Sequence, residues 1–311
     1  MFLAGALAAA ANGAAHAQAL RVFGNTTTIE LAPVLLVADQ LGSNVVTVTN
    51  GGIPNLYSPT GADIADVATN AETQVLRQSI DHPDLRIILT VSEGFYRIVA
   101  RRSAGISSLQ DLRGKKIATI ATTSSGYYLH KMLGNVGLSV DDVTVVPLSP
   151  LSKMPAALAN RQIDAVTIWE PEVQRAADAI GTDSIEFQQV QGRTVYRELF
   201  SLISIEANLL DPTRRQQIVA FVRALLRASA QIRERPQVVW PLVARATGYD
   251  AALIEKVWHH EGYPGALVPD LLDVLVEEDV YLASERGRAA RSRSELAALI
   301  DSSVLREALA D

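Results

Sequence analysis

Cysteine is absent from the 311-residue chain. That absence excludes disulfides, thiolate metal sites, iron–sulfur clusters and cysteine nucleophiles, and it leaves stability to the hydrophobic core. Lys and Arg are never gathered into blocks, and a net charge of −6 offers no field to steer the chain toward nucleic acid or anionic lipid. No nucleic-acid partner is expected, and any anion recognised here must be met locally. Past residue 17 no run approaches the ~18 consecutive apolar residues of a membrane span. The patterns G-x-S-x-G, G-x-G-x-x-G and H-E-x-x-H do not occur. In GISSLQDLRGKK the glycines Gly105 and Gly114 are too far apart for a phosphate loop, and Lys115 is followed by Lys116 rather than Ser or Thr. His259, His260 and Glu261 are consecutive in WHHEGY, so on a helix they point ~100° apart and cannot share one metal. They read as a surface cluster, and Arg193 and Arg197 also read as surface residues. No catalytic residue, metal or cofactor is expected, and the chain is not read as an enzyme.

What is present is ordinary globular composition, 48% hydrophobic and 20% charged, over a length that supports two cores. The opening MFLAGALAAAANGAAHA carries no Asp, Glu, Lys or Arg and ends in Ala15-His16-Ala17, an A-x-A cleavage pattern. Residues 1–17 are therefore expected to be a secretory signal, with the mature chain starting near Gln18 in the periplasm.

Between residues 19 and 100, LRVFG, NVVTVT, DIADVAT, LRIILTV and YRIVA read as strands, and TIELAPVLLVADQL reads as a helix with Pro33 in its first turn and its cap near Thr28. A second series follows from 115 to 181. There KKIATIA precedes a helix from Ser124, DVTVVPL precedes one over KMPAALAN, and DAVTIW precedes one opened by Pro171. Alternation of this kind predicts an α/β fold in which each lobe is a helix-flanked sheet, mixed but largely parallel. FSLISI suits a return to the first lobe. The expected division is 18–98 with 199–311 as lobe 1, 99–198 as an inserted lobe 2, and a C-terminal region of PTRRQQIVAFVRALLRASAQIRER, DAALIEKVWHH, PDLLDVLVEEDVYLAS and SRSELAALIDSSVLREALA as amphipathic helices.

Ligands of open α/β sheets sit at the carboxyl ends of strands, which can face each other across two lobes. The loops so placed run from Asn25 to Thr28, including Thr27, and from Thr69 to Glu72, including Asn70; Glu93 to Tyr96 is a third. Lobe 2 adds Thr122 to Tyr128, Ser149, and Trp169-Glu170. In TIATTSSGYYLHKML the small residues Thr122, Thr123, Ser124, Ser125 and Gly126 precede Leu129, Met132, Leu133 and Val136, which recur at helical spacing. A helix starting near Ser124 presents free N–H groups and the positive end of its dipole, a terminus suited to an anion. Trp169 offers a ring and Glu170 an acceptor.

The run SAGISSLQDLRGKKIATIATTSSGYYLHKMLGNVGLSVDDVTVVPLSPLSKMPAALANRQIDAVTIWEPEVQRA resembles the inserted domain of periplasmic solute-binding proteins of ABC importers, in the group that includes binders of alkanesulfonate, taurine, nitrate and thiamine pyrimidine precursors. LRGKKIA, GLSVDDVTVV and ALANRQIDAVTIWEPEV match in order, and ADIADVATNAE resembles the corresponding first-lobe strand and loop. The likeness covers most of residues 20 to 205. It implies the type II two-lobed fold, a small-molecule ligand, permease subunits as partners, and a monomer. It further implies that Thr122 to Tyr127, with Thr123, Ser124, Ser125 and Tyr127, supply hydroxyls and N–H groups to an acidic headgroup. Trp169 would pack on the ligand body, Glu170 would accept from a donor, and Asn70 with Glu72 would complete the lobe 1 side. The first-lobe loop NTTTIELAP departs from relatives, so ligand identity does not transfer. The leading expectation is a small organic anion, sulfonate or carboxylate; the alternative is a thiamine-type pyrimidine or other neutral heterocycle, which Glu72, Glu93 and Glu170 favour because buried carboxylates repel anions. An enzyme of pyrimidine-precursor synthesis is set aside, because that group carries a Cys-rich iron-binding segment. A ligand sensor remains a further reading.

Overall fold

The protein is described by a computed structural model that covers residues 18–59, 61–188 and 195–310. The expected signal segment 1–17 and Arg193 lie outside the described residues. In chain order the strands are β1 (Leu20–Gly24), β2 (Val46–Asn50), β3 (Val67–Ala71), β4 (Leu85–Gly94), β5 (Arg97–Arg101), β6 (Lys116–Ala118), β7 (Thr144–Val146), β8 (Ala165–Thr167), β9 (Ser184–Gln188), β10 (Glu198–Ile205) and β11 (Glu261–Gly262). They form two sheets, one in the order β11-β4-β10-β3-β1-β2 and one in the order β7-β6-β8-β5-β9.

Each sheet is mixed. β1 pairs parallel with β2 and β3, and β6 pairs parallel with β7 and β8. The strands that carry the chain between lobes pair antiparallel, β10 with β3 and β4 and β5 with β8 and β9, and the short β11 also pairs antiparallel with β4. Connectivity is the reason. β4 runs out to the second lobe and β10 comes back from it, so neighbours in the sheet point opposite ways, and the antiparallel share exceeds what the βα alternation alone predicts.

Both sheets are covered on both faces, and strand alternation shows how. Along β1, Leu20 and Val22 enter one hydrophobic cluster while Phe23 enters another. Along β5, Ile98 and Ala100 face one cluster and Val99 the other. The covering helices are α1 (Ala32–Leu41), α2 (Glu72–Gln78), α3 (Ser124–Gly134), α4 (Met154–Ala159), α5 (Glu172–Ile180), α6 (Glu206–Leu210), α7 (Pro212–Glu234), α8 (Trp240–Thr247), α9 (Ala251–Val257), α10 (Leu271–Glu285), α11 (Arg293–Ala297) and α12 (Ser303–Leu309). α1 starts later than expected, because Ile29–Leu31 forms a 3-10 turn first, and it ends where Gly42 takes φ 79°. SRSELAALIDSSVLREALA, read as one helix, is two. Between them Leu299 and Asp301 bond to the backbone of Ile87 in β4, which diverts the chain from helix to sheet edge.

Candidate functional site

Phe95 and Tyr96 lead from the first sheet to the second, and the chain re-enters the first sheet at Glu198, so both passages lie at one end of β4 and β10. The carboxyl ends of β1, β3 and β8 come to the same place. There a cavity of about 70 Å³ is lined by Asn25, Thr28, Glu30, Gly51, Thr69, Asn70, Ala71, Gln74, Glu198 and Phe200 on one side and by Thr123, Ser124 and Trp169 on the other. Residues of both sheets' lobes therefore meet around one small space. Ser124 Oγ donates to Glu198 Oε1 at 2.8 Å and lies 2.8 Å from the Tyr96 hydroxyl, which also donates to Glu198 Oε2 at 3.2 Å. Gln74 Nε2 donates to the carbonyl of Thr122 at 2.8 Å, a second bond across the gap.

Of the residues singled out in the sequence, Asn25, Thr28, Thr69, Asn70, Thr123, Ser124 and Trp169 line this cavity. The others are placed elsewhere, each for a visible reason. Thr27 is exposed and bonds back to Asn25. Thr122 is exposed, and its carbonyl takes the Gln74 bond. Ser125 is buried beneath the helix start, its hydroxyl shared with Thr119 at 3.0 Å and Thr123 at 2.9 Å. Tyr127 packs edge-on to Tyr196 and against Tyr281, outside the cavity lining. Ser149 is exposed at the end of the β7 loop. Glu72 is fully buried and caps Leu199 N at 2.6 Å while accepting from the Tyr196 hydroxyl. Glu170 is buried in an ion pair with Arg97, whose Nε and Nη2 both donate to Glu170 Oε1, at 3.0 and 2.7 Å, and which also holds Glu186 at 2.7 Å.

Two surface readings are corrected. Arg197 is nearly buried and pairs with Glu93 at 3.0 Å and Asp270. In WHHEGY, His260 is buried, 3.9 Å from Glu170, and Glu261 begins β11 with its carboxylate turned inward. Burial and then the Arg97 charge push the His260 imidazolium down to about 3, so it is neutral at physiological pH.

Missed in the sequence were Glu30, Gly51, Gln74, Glu198 and Phe200. Glu198 has a topological origin. It pairs with Gly94, and Gly94 pairs with Glu261, so the three residues form one row across β10, β4 and β11 with side chains on one face. The missing side chain of Gly94 gives the two carboxyls room, since a Cβ there would lie 3.1 Å from Glu198 Oε2 and 3.7 Å from Glu261 Oε1. Glu30 reaches Glu198 from the 3-10 turn after β1. Among the described residues no Lys or Arg forms an ion pair with Glu30, Glu198 or Glu261. Burial raises Glu30 to about 8, helped by the charge of Glu261. Burial and then the charges of Glu30 and Glu72 hold Glu198 well above the usual carboxylate range, and Glu261 rises through burial and Glu198. A proton between Glu198 and Glu30 removes the clash. Glu170 contrasts: burial raises it to about 7 even against the pull of Arg97.

The NMT1/THI5-like family matches residues 33–238. A chain of Brucella abortus (strain 2308) described as a binding protein is 40% identical over 87 residues, which is 28% of this chain and 26% of that one. The match thus spans about a quarter of that relative's length. Among solved structures, the alkanesulfonate-binding protein of Xanthomonas axonopodis pv. citri bound to MOPS is 20% identical, covers 92% of this chain and 98% of its own, and superposes with a TM-score of 0.69. The ligand-binding component of an ABC-type import system from Staphylococcus aureus, with zinc bound, is 12% identical over 94% of this chain and 100% of its own, with a TM-score of 0.73. The desulfurization enzyme DSZB is 16% identical over 94% and 99%, with a TM-score of 0.64. At these identities the likeness establishes a shared two-lobed fold, used by binders and by an enzyme.

Proposed function

Because the chain belongs to the NMT1/THI5-like family, we propose that it is the substrate-binding component of an ABC-type importer, capturing one small molecule between two lobes and presenting it to permease subunits. In this reading residues 18–98 and 199–311 form one lobe and 99–198 the other. The mature chain works as a monomer in the periplasm after loss of residues 1–17. The observation that carries the proposal is the cavity at the junction of the lobes, lined from both sides and bridged by Ser124–Glu198 and Gln74–Thr122. A ligand contacting both walls favours the closed arrangement by its differential affinity, which is what lets a permease tell loaded from empty. The void of about 70 Å³ is below the few hundred Å³ of a drug-sized pocket, so the lobes part to load.

For the ligand, the chemistry of the lining favours the heterocycle over the organic anion. An anion would rely on the N-terminus of α3, with Thr123 and Ser124, but the Ser124 and Ser125 hydroxyls already have partners, and Glu30 and Glu198 line the same space. A flat ring bearing N–H donors would stack on Trp169, bond to Glu30 and Glu198, and find further amide groups at Asn25, Asn70 and Gln74. Thermal-shift screening of sulfonates, aromatic carboxylates, nitrate and pyrimidines is the test. A pyrimidine should raise the melting temperature in proportion to the logarithm of its concentration, lose the shift in Trp169→Ala, and be recovered chemically unchanged. A sulfonate that binds while pyrimidines do not would restore the anion reading, and turnover of the bound compound would end the transport reading.

A further inference from the structure

Carboxyl groups in this molecule are buried in two ways. Glu170 and Glu93 sit against Arg97 and Arg197. Glu30, Glu198 and Glu261 are packed together with no such partner among the described residues, and two of them, Glu30 and Glu198, line the inter-lobe cavity. The groups facing Glu30 are Glu198 from β10, Glu261 and Tyr263 from the β11 segment, Glu72 from α2, and Tyr96 from the passage between lobes. All of these are acids or phenols, and a further side chain against Glu30 is the uncharged Thr28, whose hydroxyl bonds it. The Arg97 guanidinium, on the first strand of the second lobe, is engaged by Glu170, Glu186 and Gln174. A second observation points into the same space. Thr69 lines the cavity, is 1% exposed, and its hydroxyl has no hydrogen-bond partner among the described residues. A buried polar atom left without a partner is costly, and a ligand can complete it.

We infer that the ligand is taken up as a small flat organic cation, an amidinium, guanidinium or protonated amino-heterocycle, and that it displaces a proton from the Glu30–Glu198 pair as it enters. This rests on the reading of the cleft as a ligand site and adds the charge of the occupant. Without ligand the pair carries a proton because two adjacent buried carboxylates cannot both be ionised. When the cation arrives, its N–H groups donate to the carboxylates, its charge replaces that of the proton, and the proton leaves to solvent. Charge balances at each stage: acid pair plus cation gives ionised pair with bound cation plus one released proton. Trp169 forms one wall of the cavity, and its ring face attracts a flat cation in addition. Thr69 supplies an acceptor to a third N–H group. A sulfonate in the same place would face Glu30 and Glu198 directly.

The test uses the mature protein and a panel of small aromatic and aliphatic amidinium, guanidinium and ammonium compounds, each matched with the carboxylate, sulfonate and uncharged amide of the same skeleton. Isothermal titration in two buffers of different ionisation heat counts protons. The expected result is that cations bind and their matched anions do not, that up to one proton is released per cation, and that affinity rises by up to about tenfold per pH unit between pH 6 and 8. Glu30→Gln should weaken cation binding by about tenfold or more and abolish proton release, because it keeps the shape and removes the charge. If Glu30→Gln fails to fold, Glu198→Gln serves the same purpose. An anion that binds and loses its binding in Trp169→Phe overturns the cation while leaving the ligand site intact. If no compound in the panel binds, the cation inference fails, and the ligand-site reading is then judged by whether native mass spectrometry finds any small molecule retained through purification. Cation binding without proton release also overturns the inference.

Discussion

The arginine-paired carboxylates and the arginine-free ones occupy neighbouring ground and meet burial differently: burial raises both Glu170 and Glu30, but only Glu170 has a guanidinium pulling it back down. Around Arg97, the chain supplies its own positive charge, which opposes the rise that burial imposes on Glu170, and the cluster ties β5 to β9 and α5. Around Glu198, no such charge is supplied by the described residues, so Glu30, Glu198 and Glu261 depend on a proton or on something that enters. The same pattern recurs at Glu72 and Glu278, where Glu72 spends its oxygens on Tyr196 and Leu199 N, and burial plus the charge of Glu72 hold Glu278 well above the usual carboxylate range. The lesson is that an acid buried beside arginine has a counter-charge within the scaffold, whereas an acid buried without one must hold a proton or meet a charge that enters.

The largest effect is expected from breaking the paired side. Arg97→Met removes the partner of two carboxylates, one of them fully enclosed, and should cost on the order of 3–5 kcal/mol in urea unfolding at pH 7. A cost below about 1 kcal/mol would mean that the pair is not the brace described here. Next comes the unpaired side, where the sign reverses. The folded protein holds the proton of Glu30 up to about pH 8, whereas an unfolded glutamate releases it near about 4.3. The folded state therefore binds more protons in that window, so this contribution to stability is complete below about pH 4 and is lost as pH rises toward 8. Glu30→Gln should match the parent protein at pH 5 and exceed it at pH 8 by on the order of 2 kcal/mol, read from melting curves. Parallel pH profiles for the two proteins would contradict the assignment.

Smaller effects sharpen the contrast between cleft and scaffold at the start of α3. Ser125→Ala breaks the bonds to Thr119 and Thr123 beneath the cavity and should cost about 1 kcal/mol of stability with ligand affinity unchanged. An affinity change in that variant would move Ser125 into the site. Smallest is the rim. Lys256 bonds Asp178 at 2.7 Å between α9 and α5, both half exposed. Lys256→Ala should alter stability by less than about 1 kcal/mol, and the difference should fade in high salt.

How legible was this in the sequence? The start of α3 at Ser124 follows from its run of small residues, and the turn into α5 follows from Pro171, because both are local signals. Strand alternation reveals β1 and β5 for the same reason. The acid row was not legible. Glu198, Gly94 and Glu261 become neighbours only through strand pairings between segments far apart in the chain, and β11 is two residues long. Glu261 read as a surface residue because no short-range pattern marks GluGly as the edge of a six-stranded sheet. Ser125 and Glu170 read as site residues because residue type is visible in sequence, while the partners that consume them, Thr119, Thr123 and Arg97, are visible only after folding. Hydroxyls and carboxylates flag a polar region reliably; which of them remain available is a tertiary property.

The most direct test is a crystal structure of the protein bound to the compound that most raises its melting temperature. The account predicts density between the Trp169 ring and the carboxyls of Glu30 and Glu198, with contacts from both lobes. A ligand seated elsewhere, or one touching a single lobe and leaving that space empty, would contradict it.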